Sequence, residues 1–126
     1  MEIYASYLLP GILFLLTLIF GFFVSRSGKP YNGILFTIHK LIALGAVVTA
    51  VIQLSRMRSA VDAVTLMVVL MVVAAICVAA LFASGALMSM NRLDYIRMRT
   101  IHRIAPVVLL GAMAWLVYLL GKQMFP

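Results

Sequence analysis

Four long apolar stretches constrain this chain more than any other feature. They run from about Ile3 to Val24, Ile34 to Leu54, Val61 to Leu87 and Thr100 to Leu120. Each has the length to cross roughly 30 Å of hydrocarbon at about 1.5 Å per residue. Hydrophobic residues make up 66% of the chain and charged residues only 10%. A soluble domain carries roughly a quarter charged residues, so the sequence predicts a protein whose solvent is lipid, with no room for a separate soluble domain.

The segments between these stretches are short. Ser25 to Gly33 contains Gly28, Pro30, Asn32 and Gly33, which is a turn signal. Ser55 to Ala60 is a basic loop with Arg56 and Arg58, and Met88 to Arg99 reads as a polar, arginine-rich link that is helical in part. Gly121 to Pro126 reads as a short tail, and Pro10-Gly11 predicts a kink in the first span. Short loops between long helices make sequential neighbours antiparallel. The expected fold is therefore all-α: one integral-membrane four-helix bundle over residues 1–126, running up-down-up-down. Such a bundle satisfies its backbone polar groups internally, as lipid demands. Met1-Glu2-Ile3 lacks a positive n-region, so the first apolar run is expected to be a spanning helix rather than a cleaved leader.

Charge sets the expected orientation. Arg26, Lys29, Lys40, Arg92, Arg97, Arg99 and Arg103 lie toward one side with a single Asp94. Arg56, Arg58 and Lys122 lie toward the other, offset by Glu2 and Asp62. The positive-inside rule puts the first group in the cytoplasm. We expect an integral protein of a prokaryotic plasma membrane with both termini outside. The formal charge of +7 is accounted for by topology and anionic headgroups, and nucleic acid is not an expected partner.

The chain contains two histidines, and they occupy matching settings. Thr37-Ile38-His39-Lys40 superposes on Thr100-Ile101-His102-Arg103 when the sequence is shifted by 63 residues, and the same shift brings Gly21 onto Ser84 and Lys29 onto Arg92. The halves then read as two parallel two-helix repeats. Both histidines are expected within about a turn and a half of a helix start, at similar depth. In an up-down bundle the second and fourth helices lie diagonally, roughly 12–14 Å apart if neighbouring axes are 8–10 Å apart. Two inward imidazoles at that separation suit a single iron, and small residues at the same depth on the other helices, Gly21, Ser84 and Gly85, would leave space for a flat macrocycle. We therefore expect one non-covalent haem b per chain, with His39 and His102 as its axial metal ligands. Lys40, Arg99 and Arg103 are placed to meet its propionates. Thr37 and Thr100 are candidates to orient the rings by hydrogen bonds. No Cys-x-x-Cys-His attachment motif is present, and the lone Cys77 reads as a small buried apolar residue.

This arrangement resembles the core of the cytochrome b561 superfamily, in which parallel transmembrane helices supply paired histidines to haem b. The resemblance implies a four-helix core and electron transfer. Its members usually carry two haems on four histidines, whereas this sequence has two histidines on one side, which limits the expectation to one haem. The Ile-His-Arg-Ile stretch also resembles the haem-anchor subunits of succinate dehydrogenase.

The expected function is a membrane b-type cytochrome that carries one electron near the cytoplasmic face. Its expected partners are the bilayer and either quinol/quinone or a soluble redox protein, with a homo-oligomer or larger complex left open. The alternative is a cofactor-free small subunit or anchor of a larger complex. A four-helix exporter is disfavoured because the acids Glu2, Asp62 and Asp94 all lie near helix ends. A transition-metal site lacks a carboxylate or thiol at the histidines' depth. Methionines such as Met67, Met71 and Met113 read as packing, and Met88, Met90 and Met98 are weaker axial candidates than the matched histidines.

Overall fold

The computed structural model describes residues 2–57 and 65–124. Over the described residues the chain is all-α, with four helices: α1 (Glu2–Ser27), α2 (Gly33–Met57), α3 (Thr65–Met90) and α4 (Tyr95–Met124). Each holds a stretch long and apolar enough to span a bilayer, with mean hydropathy from 2.0 to 3.1. This marks the chain as an integral membrane protein. Arg58, Asp62 and the expected start of the third span at Val61 lie outside the described residues.

The helices form two units, residues 1–60 and 61–126, and each is a helix hairpin. In the first, α2 residue His39 meets Thr17 and Gly21 of α1, while Gly45 meets Leu13. Contacts that descend one helix as they ascend the other define an antiparallel pair. In the second, α3 and α4 are joined by four residues, 91–94, a length typical of antiparallel neighbours.

Both turns are built from capping chemistry. The first helix of each hairpin ends at a residue with positive φ, Gly28 (68°) or Asn91 (51°). These are the left-handed positions that glycine and asparagine tolerate best. After Asn91 the Arg92 N–H donates to the Leu87 carbonyl at 3.4 Å, the six-to-one bond that closes a helix C-terminus. Each second helix then opens on an Asx cap. Asn32 Oδ1 accepts from the N–H groups of Ile34 (3.0 Å) and Leu35 (3.3 Å), and Asp94 Oδ1 accepts from Ile96 (3.0 Å). These bonds satisfy amides that a helix start would otherwise leave unpaired.

The cap at Asp94 corrects the expected boundary of the fourth helix. The 88–99 stretch is helical in part, as expected, but the link is only residues 91–94: α3 continues to Met90 and α4 starts at Tyr95, with Arg97 bridging Asp94 at 3.4 Å on the exposed surface. Arg97 and Arg99 lie on α4, while Arg92 and Asp94 lie in the turn. At the other end α4 runs through most of the expected tail, to Met124. α1 also runs through Pro10 as helix.

Packing within the second hairpin follows one stripe per helix. On α4 the buried residues are Ala105, Leu109, Ala112, Leu116, Leu120 and Gly121, and on α3 they are Met67, Ala74, Cys77 and Ser84. Steps of three, four and seven place all but Gly121 on one face. Many are small, which lets helix backbones approach closely in lipid, where apolar side chains gain little by leaving water. His102 lies three residues before Ala105 and His39 seven before Ala46, so both histidines fall on the inward stripe of their hairpins. The outward faces carry exposed Leu, Ile, Val and Phe such as Leu15, Phe22, Leu41, Val72 and Val107, the surface expected of helices bathed in acyl chains.

Candidate functional site

Each histidine is half-buried and set deeper than the sequence suggests. His39 follows its cap, Asn32, by seven residues, and His102 follows Asp94 by eight. At about 1.5 Å per residue, the rings attach roughly 10–12 Å along the helix, about two turns in. The expected turn and a half places both too near the helix start, most of all for His102, because α4 starts at Tyr95 rather than at the expected Thr100.

In the first hairpin, His39 Nδ1 lies 3.0 Å from the Thr17 carbonyl oxygen of α1. A carbonyl only accepts, so Nδ1 carries the proton and the ring lone pair is on Nε2. Thr17 and Gly21 stand one turn apart on the same face of α1. A Cβ at position 21 would fall 2.9 Å from His39 Cε1 and 3.3 Å from Nδ1. The missing side chain is thus what lets the imidazole reach the main chain. The Thr17 hydroxyl is turned to the Leu13 carbonyl at 2.8 Å and leaves the ring contact to the backbone.

The second hairpin repeats this with one change. His102 packs against Gly85 of α3, where a Cβ would sit 3.2 Å from Cε1. Its Nδ1 lies 2.9 Å from Ser84 Oγ, and that oxygen lies 3.2 Å from the Leu81 carbonyl. Ser84 is 2% exposed, and its hydroxyl has one proton. If that proton went to Nδ1, the serine lone pairs would face the carbonyl oxygen of Leu81 with no hydrogen between. Donation from Nδ1–H to Ser84 and from Ser84 to Leu81 satisfies every group in line. Again the lone pair is on Nε2. Leu81 precedes Gly85 by four residues, as Thr17 precedes Gly21, so the serine stands between the ring and the equivalent carbonyl.

The structural partner of Gly21 is accordingly Gly85 rather than Ser84. The repeat runs at 63 residues for the histidines and 64 for the glycines, because the second hairpin is one residue shorter between them. The notch at each glycine holds the edge of its own hairpin's imidazole.

The remaining predicted residues divide. Arg99 Nε is buried and finds no hydrogen-bond partner among the described residues, one turn before His102. Arg103 is exposed directly after His102. Lys40 is exposed, with Nζ 4.1 Å above the Phe36 ring, a cation–π contact along its own helix. Thr100 is not a ring partner in the way expected. Its hydroxyl donates to the Ile96 carbonyl at 2.9 Å, a bond that the i−4 geometry of a helix offers any threonine. Thr37 is exposed. The ring partner that the sequence reading missed is a main-chain oxygen, that of Thr17, which no residue type announces. Among the described residues no group of three or more His, Cys, Asp or Glu is placed to hold a metal ion. Each hairpin thus offers one imidazole with Nε2 as its basic nitrogen, and the second also holds an orphaned guanidinium N–H.

Comparison of this chain with family models, curated proteins and solved structures gives no match.

Proposed function

We propose that the protein is a small membrane b-type cytochrome in which Nε2 of His39 and Nε2 of His102 ligate one haem. The observation that carries this reading is the matched tautomer. Both rings lie against a glycine, and both commit Nδ1–H to an acceptor on the neighbouring helix. Histidines that bind metals almost always donate the other ring N–H in this manner, which fixes the tautomer and makes the ligating nitrogen more basic. Arg99 supports the same reading. Its Nε–H lacks an acceptor, and a propionate oxygen would satisfy it through a charge-assisted bond.

When bound, a bis-histidine haem supplies reversible one-electron transfer without bond-making. The chain's own residues perform the rest. Thr17 and Ser84 hold the imidazoles in one orientation each, Gly21 and Gly85 admit them, and the apolar stripes around them keep water away. The cations at the turn end of both hairpins, Arg26, Lys29, Lys40, Arg92, Arg97, Arg99 and Arg103, favour that end as the cytoplasmic one. They also favour an acidic soluble partner or a quinol at the headgroup level as the redox counterpart.

A second reading is a cofactor-free membrane subunit, favoured by the use of each imidazole as a cross-helix hydrogen bond. Polar side chains that bridge helices in lipid contribute roughly 0.6–2 kcal/mol each, and His39 and His102 would then be fasteners. Expression with haem supplementation and purification in detergent separates the two. The cytochrome gives a Soret band that shifts on dithionite reduction, at one haem per chain. A colourless protein that takes up no added haemin ends the cytochrome reading.

A further inference from the structure

The two imidazoles share a tautomer but not the means of fixing it. We propose that Ser84 is a positioning residue that holds His102 in the Nδ1–H form, doing by side chain what the Thr17 main-chain carbonyl does for His39. The tautomer assignment stands on geometry alone. Its consequence for a bound metal rests on the haem reading above and deepens it, since it makes the two axial ligands inequivalent and one of them adjustable by a single substitution.

Three observations converge on Ser84. It is the one buried polar residue among the described positions, in a stripe otherwise made of Met, Ala and Cys. Its oxygen touches both His102 Nδ1 (2.9 Å) and the Leu81 carbonyl (3.2 Å), so it relays the ring N–H to a backbone acceptor. The neighbouring Gly85 lets the ring come this close, with Cε1 only 3.2 Å from where a Cβ would be. A serine hydroxyl commonly folds back on its own helix, as Ser27, Ser55 and Ser89 do here. Ser84 does so too, and the difference is that a ring nitrogen on the next helix completes the line.

A carbonyl and a hydroxyl are different acceptors. The Thr17 carbonyl has no proton and can only accept, so it holds His39 as Nδ1–H without the help of a second bond. The Ser84 hydroxyl has one proton whose direction is set by Leu81, so the grip on His102 is conditional on that second bond. Removing the hydroxyl takes away the oxygen that fixes the proton on Nδ1, and a proton placed on Nε2 instead would oppose metal binding. Nothing comparable can be done to His39 by changing the side chain of Thr17, because its acceptor is main chain.

The test begins on the apo full-length protein in lipid nanodiscs, with 15N-labelled histidine and the signals assigned through His39→Gln. Both rings are expected as the Nδ1–H tautomer. Ser84→Ala should cause loss of that form at His102 while His39, the internal control for a folded hairpin, keeps its signal; Ser84→Thr, which retains a hydroxyl, should restore it. An Nε2–H signal for His102 in the parent protein would overturn the proposal, as would a His102 signal that Ser84→Ala does not move. Haemin titration then reads the consequence: Ser84→Ala should weaken haemin binding at least several-fold and shift the midpoint potential, with Ser84→Thr near the parent. Failure of the parent to bind haemin sinks the cytochrome reading and leaves the tautomer result intact. Normal haemin binding and an unchanged potential in Ser84→Ala sink the positioning role and leave the cytochrome standing.

Discussion

The two hairpins solve the same geometric problem with different parts. Asn32 lies eleven residues after Gly21, and Asp94 lies nine after Gly85. The histidine then follows its cap by seven residues in one and eight in the other. A shorter turn is compensated by a longer helical lead, and in both cases an imidazole edge ends on a glycine. The bonding differs. His39 meets a bare carbonyl at 3.0 Å and His102 meets a serine at 2.9 Å. α4 also carries Pro106 four residues after His102, where the first half has Ala43. Proline has no N–H to give to the His102 carbonyl, so the helix is weakened at the ring in the second hairpin alone. What the pair teaches is that glycine and histidine define the motif, while the acceptor is replaceable.

The largest expected effects would break the equivalence outright. His39→Ala and His102→Ala should each abolish the six-coordinate low-spin spectrum of the haem-reconstituted protein, since one axial nitrogen cannot hold the low-spin state alone. An unchanged reduced-minus-oxidised spectrum in either variant removes that residue from the ligand pair. A loss in one variant only would show that the hairpins are not partners in one site.

A smaller effect should separate the hairpins by sterics. An alanine at position 21 would bring a methyl within 2.9 Å of His39, and one at position 85 within 3.2 Å of His102. Overpacking costs about 1–3 kcal/mol, while Gly→Ala inside a helix gains about 1 kcal/mol. Gly21→Ala should therefore destabilise on balance, by about 1–2 kcal/mol, because its contact is too short to absorb and the ring is pinned to Thr17. Gly85→Ala should lie within about 0.5 kcal/mol of the parent, since a shift of a few tenths of an ångström relieves it. Thermal unfolding in a single detergent orders the two variants. Equal stabilities would mean that the two glycine notches are not mechanically distinct.

Much of this arrangement is legible in the chain, and the illegible part has a physical cause. The four helices follow from the lengths of the apolar runs, and the pairing of small residues with histidines follows from Gly21 and Ser84-Gly85 falling at matching depth. The start of α4 does not follow from polarity, because Arg97 and Arg99 read as part of a polar link yet lie on a helix that Asp94 caps. The 63-residue shift aligned the histidines correctly but paired Gly21 with Ser84, since a one-residue difference in turn length is invisible until the helices are wound. The Thr17 carbonyl left no trace in the sequence, as every residue has one. The small residues at 21, 84 and 85 were expected to clear room for a macrocycle. In each hairpin the notch admits that hairpin's own imidazole, a use that the sequence pattern cannot distinguish from the first.

The smallest effects are those of charge at the caps, where the comparison is sharpest chemically. Asn32 and Asp94 each pair their side-chain oxygen with the second helical amide, at 3.0 Å in both, so replacing either with alanine should cost about 1 kcal/mol. They differ in charge. Aspartate at a helix N-terminus also meets the positive end of the macrodipole, a gain of about 0.3–1 kcal/mol that salt screens. Asp94 has Arg97 at 3.4 Å on the exposed surface as well, a pair of the kind that contributes about 0–1 kcal/mol. Asp94→Asn should therefore destabilise by a few tenths of a kcal/mol at low ionic strength, and Asn32→Asp should stabilise by a similar amount. Both differences should shrink toward zero in high salt. Unfolding midpoints of the two variants, measured across ionic strength, check this. A salt-independent loss in Asp94→Asn would mean that the carboxylate serves α4 through geometry alone, and that the two caps differ in charge without differing in function.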